Sequence, residues 1–319
     1  MLIVIPDDFP SIIADDEALE RLREHAEVIL HNSRAESEEE LISRLREAQG
    51  VINIRAYSKF TPEVFAACPE LKIISVLGIG TDNVNLEAAE RHGVLVCNTP
   101  GYSAVSVGEH SLTLMLAAAR QIPRLDSELR GGNWTRLPMT QLHGKTLGVI
   151  GFGDIARQVA LIGRGIGMDV ISWTFNPSDE RARKHNVRFV GLEELLSTSD
   201  VVSINIRSSP RTQGLIGARE LKMMKPTAIL VNTARGAIVD EAALVEALKS
   251  GAIAAAGLDV FTTEPLPPDS PFLSLPNVVV TPHTAGITPE ATAAGNRMVV
   301  DNIIQFIQGN PINIRKPEA

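Results

Sequence analysis

Short apolar runs alternate with amphipathic stretches along the chain, and this alternation limits the fold more than any other feature of the sequence. The early runs have the length of strands and cover residues 2–5, 28–30, 51–54, 73–76 and 94–97. Helical spacing lies between them, over residues 17–25, 38–48, 63–67 and 86–91. Strands that alternate with helices form mostly parallel sheets covered by helices. The low aromatic content, 4% of residues, fits such sheets, whose interiors are built from aliphatic side chains.

The second part of the chain repeats this pattern. A long, mainly apolar helix is predicted over residues 103–120, and Pro123 marks its end. After a polar stretch that contains Trp134, strands are predicted over residues 146–150, 169–173, 201–206, 228–232, 255–260 and 278–281. A helix over residues 289–308 closes the chain. The pattern therefore predicts an α/β protein with two doubly wound domains.

Charge and composition exclude several classes of function. The net charge is −8 and Lys and Arg form no cluster, so we expect no nucleic-acid partner and no membrane binding. The longest apolar run, residues 112–119, is shorter than the roughly 20 residues of a transmembrane helix. Cys68 and Cys97 lack the spacing of metal ligands, so we expect no metal site and no disulfide framework. Residues 1–6 lack the basic region of a signal peptide, and we expect a cytoplasmic protein.

A glycine-rich turn after the first strand of the second series predicts a phosphate-binding site. The segment Gly151-Phe-Gly153-Asp-Ile-Ala156 follows an apolar strand and opens a helix, and a further strand comes next. The first glycine allows a tight turn, the second allows close approach of a pyrophosphate, and the alanine allows close packing of helix and strand. The helix N-terminus supplies N–H groups and a positive dipole end. We therefore expect Gly151, Gly153, Asp154 and Ile155 to contact a dinucleotide.

The strand that follows the turn lacks one expected feature. An Asp or Glu about 20 residues beyond the glycines normally accepts hydrogen bonds from the adenosine ribose. Here Thr174 and Asn176 follow the strand, and the next carboxylate is Asp179. We expect Thr174 and Asn176 to contact the cofactor, together with Thr212. Arg207 either contacts the adenosine side, including a 2′-phosphate, or is a surface arginine, so NAD and NADP are both possible.

Three later segments place polar residues just beyond the carboxyl ends of predicted strands. They contain Asn232-Thr-Ala-Arg235-Gly, Asp259-Val-Phe-Thr-Thr-Glu264 and Thr281-Pro-His283. In an open α/β sheet, ligands bind in the crevice outside those strand ends. These residues are therefore candidates for catalysis.

Two further segments, Gly78-Ile-Gly80-Thr-Asp82 and Cys97-Asn98-Thr-Pro100-Gly, complete a recognisable order of motifs. With them the sequence closely resembles the D-isomer-specific 2-hydroxyacid dehydrogenase family over essentially its whole length. The resemblance implies that Arg235 anchors the substrate's carboxylate and carbonyl, that His283 is the acid/base, and that Glu264 is the partner of His283. The residues that it places beside the cofactor are Thr233, Asp259 and His283, and those beside the substrate carboxylate are Leu77, Gly78 and Ile79.

The chemistry of these side chains agrees with the implied roles. Reduction of a 2-keto acid needs a hydride at C2 and a proton at the oxygen. Histidine suits the proton transfer because its ordinary pKa is about 6.5, and a carboxylate beside it stabilises the imidazolium form. The planar fork of arginine holds a carboxylate through two hydrogen bonds.

The resemblance also implies the organisation of the chain. We expect residues 1–99 and 287–319 to form a flavodoxin-like catalytic domain, and residues 100–286 to form a Rossmann-type NAD(P)-binding domain. The cleft between them is expected to close over cofactor and substrate. A homodimer is expected to form through the dinucleotide-binding domain and its long helix. Because the chain ends soon after its last helix, we expect no regulatory domain.

The resemblance leaves two functions open. The first is NAD(P)-dependent reduction of a small 2-keto acid to a D-2-hydroxy acid, with glyoxylate or hydroxypyruvate favoured over a phosphoglycerate-type substrate, and with NAD favoured by its prevalence in the family. The second is a dinucleotide-sensing protein that resembles the family's transcriptional corepressors. The absence of long tails favours the enzyme. We expect substrate choice to depend on the surroundings of Arg55, Tyr57, Leu77 and Trp134.

Overall fold

Residues 1–54 and 57–317 are described by the computed structural model of the chain, and Arg55 lies outside them. The chain divides into two compact units. Unit 1 comprises Met1–Ser103 and Thr288–Ala319, and unit 2 comprises Ala104–Ile287. The substrate-binding role of the first and the dinucleotide-binding role of the second stay predictions.

Unit 1 alternates strands and helices, as the sequence predicts. Its elements are β1 (Leu2–Ile5), α1 (Glu17–Arg23), β2 (Glu27–Leu30), α2 (Glu38–Leu45), β3 (Gly50–Asn53), α3 (Pro62–Ala67), β4 (Ile73–Val76), α4 (Leu86–Arg91) and β5 (Leu95–Cys97). Each of these helices begins after a residue whose side chain accepts a hydrogen bond from the first turn, namely Asp16, Ser37, Thr61 and Asn85. Such caps satisfy N–H groups that a helix leaves unpaired at its start.

Unit 2 carries the longer series of elements. They are α5 (Ala104–Ala119), α6 (Ile122–Arg130), β6 (Thr146–Ile150), α7 (Asp154–Gly165), β7 (Asp169–Trp173), α8 (Asp179–His185), β8 (Arg188–Phe189), α9 (Leu192–Thr198), β9 (Val201–Ile204), α10 (Ala218–Met223), β10 (Ile229–Asn232), α11 (Glu241–Ser250), β11 (Ala255–Leu258) and β12 (Val278–Val280). The chain then returns to unit 1 through α12 (Pro289–Ile307) and β13 (Ile314–Arg315).

The two sheets have the strand orders of doubly wound folds. Among the described residues of unit 1 the order is β13-β5-β4-β3-β1-β2, and β13 alone runs antiparallel to its neighbour. Its five parallel strands follow the flavodoxin-like order. In unit 2, which is described throughout, the order is β12-β11-β10-β9-β6-β7-β8 and every pairing is parallel. From β8 to β11 this is the Rossmann order, extended by β12.

The register of the unit 2 sheet aligns the strand ends that matter for function. Hydrogen-bonded neighbours place the last residues of six strands in one row, which runs Trp173, Ile150, Ile204, Asn232, Leu258 and Val280. The chain beyond this row contains every site residue that the sequence predicts in unit 2. A ligand in the crevice outside the carboxyl ends of the strands would meet them together.

The start of unit 2 differs from the prediction in one respect. Pro123 does not end the long helix, because α5 already ends at Ala119 and Gln121 adopts a left-handed conformation, with φ +49°. Pro123 lies in the first turn of a separate helix, α6. Proline is tolerated there because its missing N–H would have no partner inside the helix.

The described residues also show how the helices compare with membrane spans and where the two cysteines lie. No helix among the described residues is long and apolar enough to span a bilayer. Cys68 and Cys97 are both free and buried, and burial raises the pKa of the Cys97 thiol to about 11. Cys97 therefore stays protonated near neutral pH and packs as a small apolar side chain.

The packing of α5 on the unit 2 sheet yields a test of the fold. A Cβ at Gly257, in β11, would lie 2.8 Å from the Leu114 Cβ and 3.3 Å from the Leu114 backbone oxygen. Because these atoms belong to a buried helix, Gly257→Ala is expected to lower the free energy of unfolding by about 1–3 kcal/mol. Urea denaturation of the purified variant measures this change.

Gly165→Ala is the matched control. A Cβ there meets nothing within 4 Å, and the residue lies in the last turn of α7. Alanine restricts the unfolded chain, so this variant is expected to equal or exceed the wild type by up to about 1 kcal/mol. Equal stability of the two variants would contradict the close approach of α5 and β11.

Candidate active site

The turn between β6 and α7 has the features of a phosphate-binding loop. Gly151 adopts φ +88°, and a Cβ on it would lie 2.7 Å from the Asn205 backbone oxygen. Gly153 caps α7 without a side-chain hydrogen bond, and a Cβ on it would meet nothing within 4 Å. The helix start is thus left open to a ligand, and its residues fit a dinucleotide phosphate. Asp154 is exposed and pairs with Arg157, while Ile155 is half-buried.

The segment after β7 lies beside this turn. The Gly151 N–H donates to the Trp173 oxygen over 2.8 Å. Thr174, half-buried, and Asn176, exposed, come next along the chain. Arg181 ties the segment to the turn, because its two terminal nitrogens donate to the backbone oxygens of Asn176 (2.9 Å) and Phe152 (2.6 Å).

The loop after β9 carries two more predicted cofactor residues. Arg207 is exposed, whereas Thr212 is buried. The Thr212 hydroxyl accepts from the Ser209 N–H over 2.8 Å and donates to the Arg207 oxygen over 2.8 Å. The Thr212 side chain therefore closes its own loop, and Arg207 presents its side chain at the surface.

The loop that carries Arg235 is organised by buried polar groups. Asn232 accepts from the Ala234 N–H (3.0 Å) and donates to the Arg235 oxygen (2.9 Å). The Thr233 hydroxyl contacts that of Ser111 over 2.9 Å, and Ser111 donates to the Val107 oxygen, so Thr233 is the donor. The backbone of Arg235 is thus fixed at the end of β10.

A close backbone approach joins this loop to the one that follows β11. A Cβ on Gly236 would lie 2.0 Å from the Phe261 carbonyl carbon and 2.3 Å from the Thr262 nitrogen. Only glycine fits such a contact. Arg235 and Glu264 are therefore held near one another, and the charge of Arg235 helps to lower the pKa of Glu264.

Glu264 and His283 form a hydrogen-bonded dyad. The His283 Nδ1 lies 2.7 Å from the Glu264 Oε2, and the Glu264 Oε1 accepts from the Phe261 N–H over 2.9 Å. Burial raises the pKa of Glu264, but the bonds from His283 and Phe261 and the charge of Arg235 outweigh it and bring the pKa below its usual range. An ionised carboxylate only accepts hydrogen bonds, so Nδ1 carries a proton and Nε2 is the nitrogen left for proton exchange.

The loop that carries His283 is anchored by Asp259, which has no exposed surface. The Asp259 Oδ1 accepts from the Thr281 hydroxyl (2.6 Å) and the Thr284 N–H (2.9 Å). Its Oδ2 accepts from the Ala285 N–H (2.9 Å), and its backbone oxygen accepts from the His283 N–H (2.8 Å). These bonds hold His283 at φ +52°, a left-handed conformation that is uncommon for residues other than glycine.

His110, on α5, also belongs to this network, although it lies in none of the sequence motifs described above. Its Nε2 lies 2.9 Å from the Thr281 Oγ1 and 3.5 Å from the Asp259 Oδ1. Because Thr281 gives its one hydroxyl proton to Asp259, Nε2 must be the donor to Thr281. Burial raises the pKa of Asp259, but the bonds from His110, Thr281, Thr284 and Ala285 lower it below its usual range.

The predicted substrate loop lies in unit 1, after β4. The Leu77 N–H donates to the Asn53 oxygen (2.9 Å), and the Gly78 N–H donates to the Thr99 hydroxyl (2.8 Å). The Ile79 oxygen accepts from the Asn98 side chain (2.8 Å). The Leu77 and Gly78 N–H groups thus bond within unit 1, and the role of Leu77, Gly78 and Ile79 at a substrate carboxylate stays a prediction.

The fold, together with the residues beyond the strand ends of unit 2, is that of a dinucleotide-binding oxidoreductase. Comparison with known proteins identifies the family. The model of the D-isomer specific 2-hydroxyacid dehydrogenase NAD binding domain matches residues 112–285. A glyoxylate reductase of Aeropyrum pernix is 40% identical over 314 residues, which are 95% of this chain and 93% of that protein. The chain belongs to the D-isomer specific 2-hydroxyacid dehydrogenase family.

Other relatives differ in length or in activity. A D-3-phosphoglycerate dehydrogenase of Archaeoglobus fulgidus is 41% identical over 278 residues, or 86% of this chain and 53% of that protein. The chain thus spans about half the length of this relative. A solved acyclic imino acid reductase, Bsp5, in complex with NADPH and D-Arg, has a TM-score of 0.90 and 28% identity, and the match covers 99% of this chain and 100% of that one.

The buried carboxylate of Asp259 gives a test of the network. Asp259→Asn would put an amide against N–H donors, and we expect it to lower the free energy of unfolding at pH 7 by about 2–4 kcal/mol. Because the pKa of Asp259 is lowered in the folded state, its contribution is complete above the ordinary value of about 3.9. The contribution is lost as the pH falls through the folded value, so the gap between variant and wild type is expected to narrow in acid.

Urea denaturation at several pH values measures this gap. Asp269→Asn is the control, since Asp269 is exposed in the same unit, and its stability is expected to stay within about 0.5 kcal/mol of the wild type. A gap that is independent of pH would show that the charge of Asp259 does not stabilise the loop.

Proposed function

We propose that the chain catalyses the NAD(P)-dependent interconversion of a small 2-keto acid and its D-2-hydroxy acid. The observation that carries this proposal is the 2.7 Å contact between His283 and Glu264, beside Arg235. A proton donor, a carboxylate that stabilises its charged form and a fixed cation are what the reduction of a keto acid requires.

Arg235 anchors the substrate. Its guanidinium holds the carboxylate through two hydrogen bonds and polarises the neighbouring carbonyl. The backbone bonds of Asn232 and the close contact at Gly236 fix the base of this side chain, which limits the freedom lost on binding.

His283 moves the proton. Glu264 holds Nδ1–H, and Nε2 gives its proton to the carbonyl oxygen during reduction and takes it back during oxidation. The Glu264 carboxylate stays ionised at neutral pH, because its pKa lies below its usual range. It therefore stabilises the imidazolium whenever the ring carries two protons.

The residues around the β6–α7 turn fit the phosphates of a nicotinamide dinucleotide, which supplies or accepts the hydride when bound. Gly151 and Gly153, with the first N–H groups of α7, would hold its pyrophosphate. The segment at Thr174 and Asn176 would meet its adenosine, and Thr233, Asp259 and His283 would lie on the nicotinamide side. Thr233 and Asp259 act there by shaping the loops, since their side chains bond within unit 2.

Glyoxylate and hydroxypyruvate are the favoured substrates, and a phosphoglycerate-type substrate is the next candidate. The glyoxylate reductase of Aeropyrum pernix supports this order, because the match covers nearly the whole of both chains. The phosphoglycerate dehydrogenase match covers only 53% of that protein. The buried free cysteines are consistent with the cytoplasm as the compartment.

A homodimer through unit 2 is part of the proposal. The helix α6 has no buried residue in unit 2, which is described throughout, and Ile122 and Leu129 are more than half exposed. Trp134 is 76% exposed, and Val105 is 56% exposed on α5. We propose that these exposed apolar side chains belong to a face that a second copy covers.

The acid/base role is tested with His283→Asn. Asparagine tolerates the left-handed backbone at this position, so the variant is expected to fold. Its kcat for glyoxylate or hydroxypyruvate reduction is expected to fall by about 10²–10⁴-fold, because no ring nitrogen gives the proton. His143→Asn, at an exposed position of unit 2, is the control and should keep the wild-type rate.

The assay uses a panel of 2-keto acids with NADH and with NADPH, and dinucleotide binding is measured in parallel. Wild-type turnover by His283→Asn would overturn the mechanism. Dinucleotide binding by the wild type without turnover of any keto acid would instead favour the corepressor-like sensing function. Because arginine and lysine differ in geometry, Arg235→Lys is expected mainly to raise KM.

The dimer is tested with Leu129→Asp. A charge on α6 is expected to shift the protein to monomers, as measured by light scattering after gel filtration, because burying it would cost several kcal/mol. Leu273→Asp is the control, since Leu273 is also about half exposed, at 51%, but lies in a different loop. A wild type that is monomeric at all concentrations would refute the proposal.

A further inference from the structure

We propose that unit 2 selects NADP(H) over NAD(H), because Arg211, held over Phe175, and Arg207 meet the adenosine 2′-phosphate. The inference rests on the proposed function, since it concerns the cofactor of the same site. It departs from the expectation of NAD, which came from the prevalence of that cofactor in the family and from no residue of this chain.

The first step is the position of the segment after β7. Trp173 ends this strand beside Ile150, and its backbone oxygen accepts the Gly151 N–H. The residues from Thr174 to Pro177 therefore begin next to the glycine turn that fits the pyrophosphate. In dinucleotide-binding folds the adenosine ribose lies at this strand end.

The second step is the charge of that segment. A carboxylate at this position accepts bonds from both ribose hydroxyls and repels a 2′-phosphate. Residues 174–178 contain none, and Thr174 and Asn176 are neutral. The first carboxylates beyond them, Asp179 and Glu180, belong to the first turn of α8. No negative charge thus opposes a phosphate between the end of β7 and the start of α8.

The third step is the placement of Arg211. Its guanidinium carbon lies 4.1 Å from the centre of the Phe175 ring, and Phe175 in turn packs against Trp173 with 4.9 Å between ring centres. Among the described residues no carboxylate forms an ion pair with Arg211. Stacking engages the flat face of the guanidinium and leaves its N–H donors at the edge. Those donors suit the oxygens of a phosphate.

The loop that presents Arg211 is itself well held. The Thr212 hydroxyl, next in sequence, links Ser209 and the oxygen of Arg207, so positions 207 and 211 stay on one closed loop. Arg181, another arginine near this segment, donates from its terminal nitrogens to the backbone oxygens of Asn176 and Phe152. Arg181 therefore positions the segment, and Arg211 and Arg207 are exposed arginines of the neighbouring loop.

Calorimetric titration of the full chain tests the proposal without reference to turnover. The ligands are NADPH, NADH, adenosine 2′,5′-bisphosphate and AMP. The wild type is expected to bind NADPH about tenfold or more tighter than NADH, and the difference should shrink with added salt. A wild type that binds NADH as tightly as NADPH overturns the proposal.

The variants locate the effect. Arg211→Gln is expected to weaken NADPH and the bisphosphate by about 10- to 100-fold and to leave NADH and AMP within about twofold. Arg211→Lys, which keeps the charge, should recover part of the loss, and Arg207→Gln should show a smaller loss of the same kind. The control is Arg219→Gln, because Arg219 is an exposed arginine that pairs with Glu193 elsewhere in unit 2.

Equal weakening of NADPH and NADH by Arg211→Gln would mean that the arginine contacts the adenine, and would overturn the proposal. Tight, phosphate-dependent binding of NADPH without reduction of any keto acid would support the proposal and refute the proposed activity. Absence of binding by every dinucleotide would overturn both.

Discussion

A carboxylate that is buried away from water must accept hydrogen bonds from the groups around it. In unit 2 the Asp259 side chain imposes this requirement on the loop after β12. The N–H groups of Thr284 and Ala285 and the Thr281 hydroxyl supply the bonds. A buried charge without them would cost several kcal/mol, so the loop has little freedom to rearrange. The backbone of His283 is fixed as a consequence. The position of His283 in the exposed Glu264–His283 dyad therefore depends on the hydrogen bonds that the buried Asp259 carboxylate requires.

The loops after β10 and β11 are joined more simply, by a contact that leaves no room for a side chain at Gly236. Because Arg235 precedes that glycine and Glu264 follows the opposite segment, this contact holds the backbones of the two residues near one another. The three loops at neighbouring strand ends thus form a frame whose parts support one another.

Much of this arrangement could be predicted from the sequence. Buried strands such as Ile73–Val76 are short apolar runs, and Arg235, Glu264 and His283 belong to motifs whose spacing is characteristic. The two-residue strands Arg188–Phe189 and Ile314–Arg315 were not predictable, since their formation depends on a neighbour's edge. The place of His110 depends on which side of α5 meets the sheet. A helix that is apolar almost all round gives no sign of that side.

Chain order has a consequence for synthesis on the ribosome. The final helix, α12, contributes Val299, Val300 and Ile303 to a cluster that also contains Ile3 and Ile5, from the first strand. Unit 1 therefore lacks part of its core until α12 has been made. Unit 2, which is continuous, leaves the ribosome complete before α12 does. Domains usually fold in the order of translation. Here the N-terminal segment cannot complete its fold until the second domain has been made, and its apolar strands stay exposed until then.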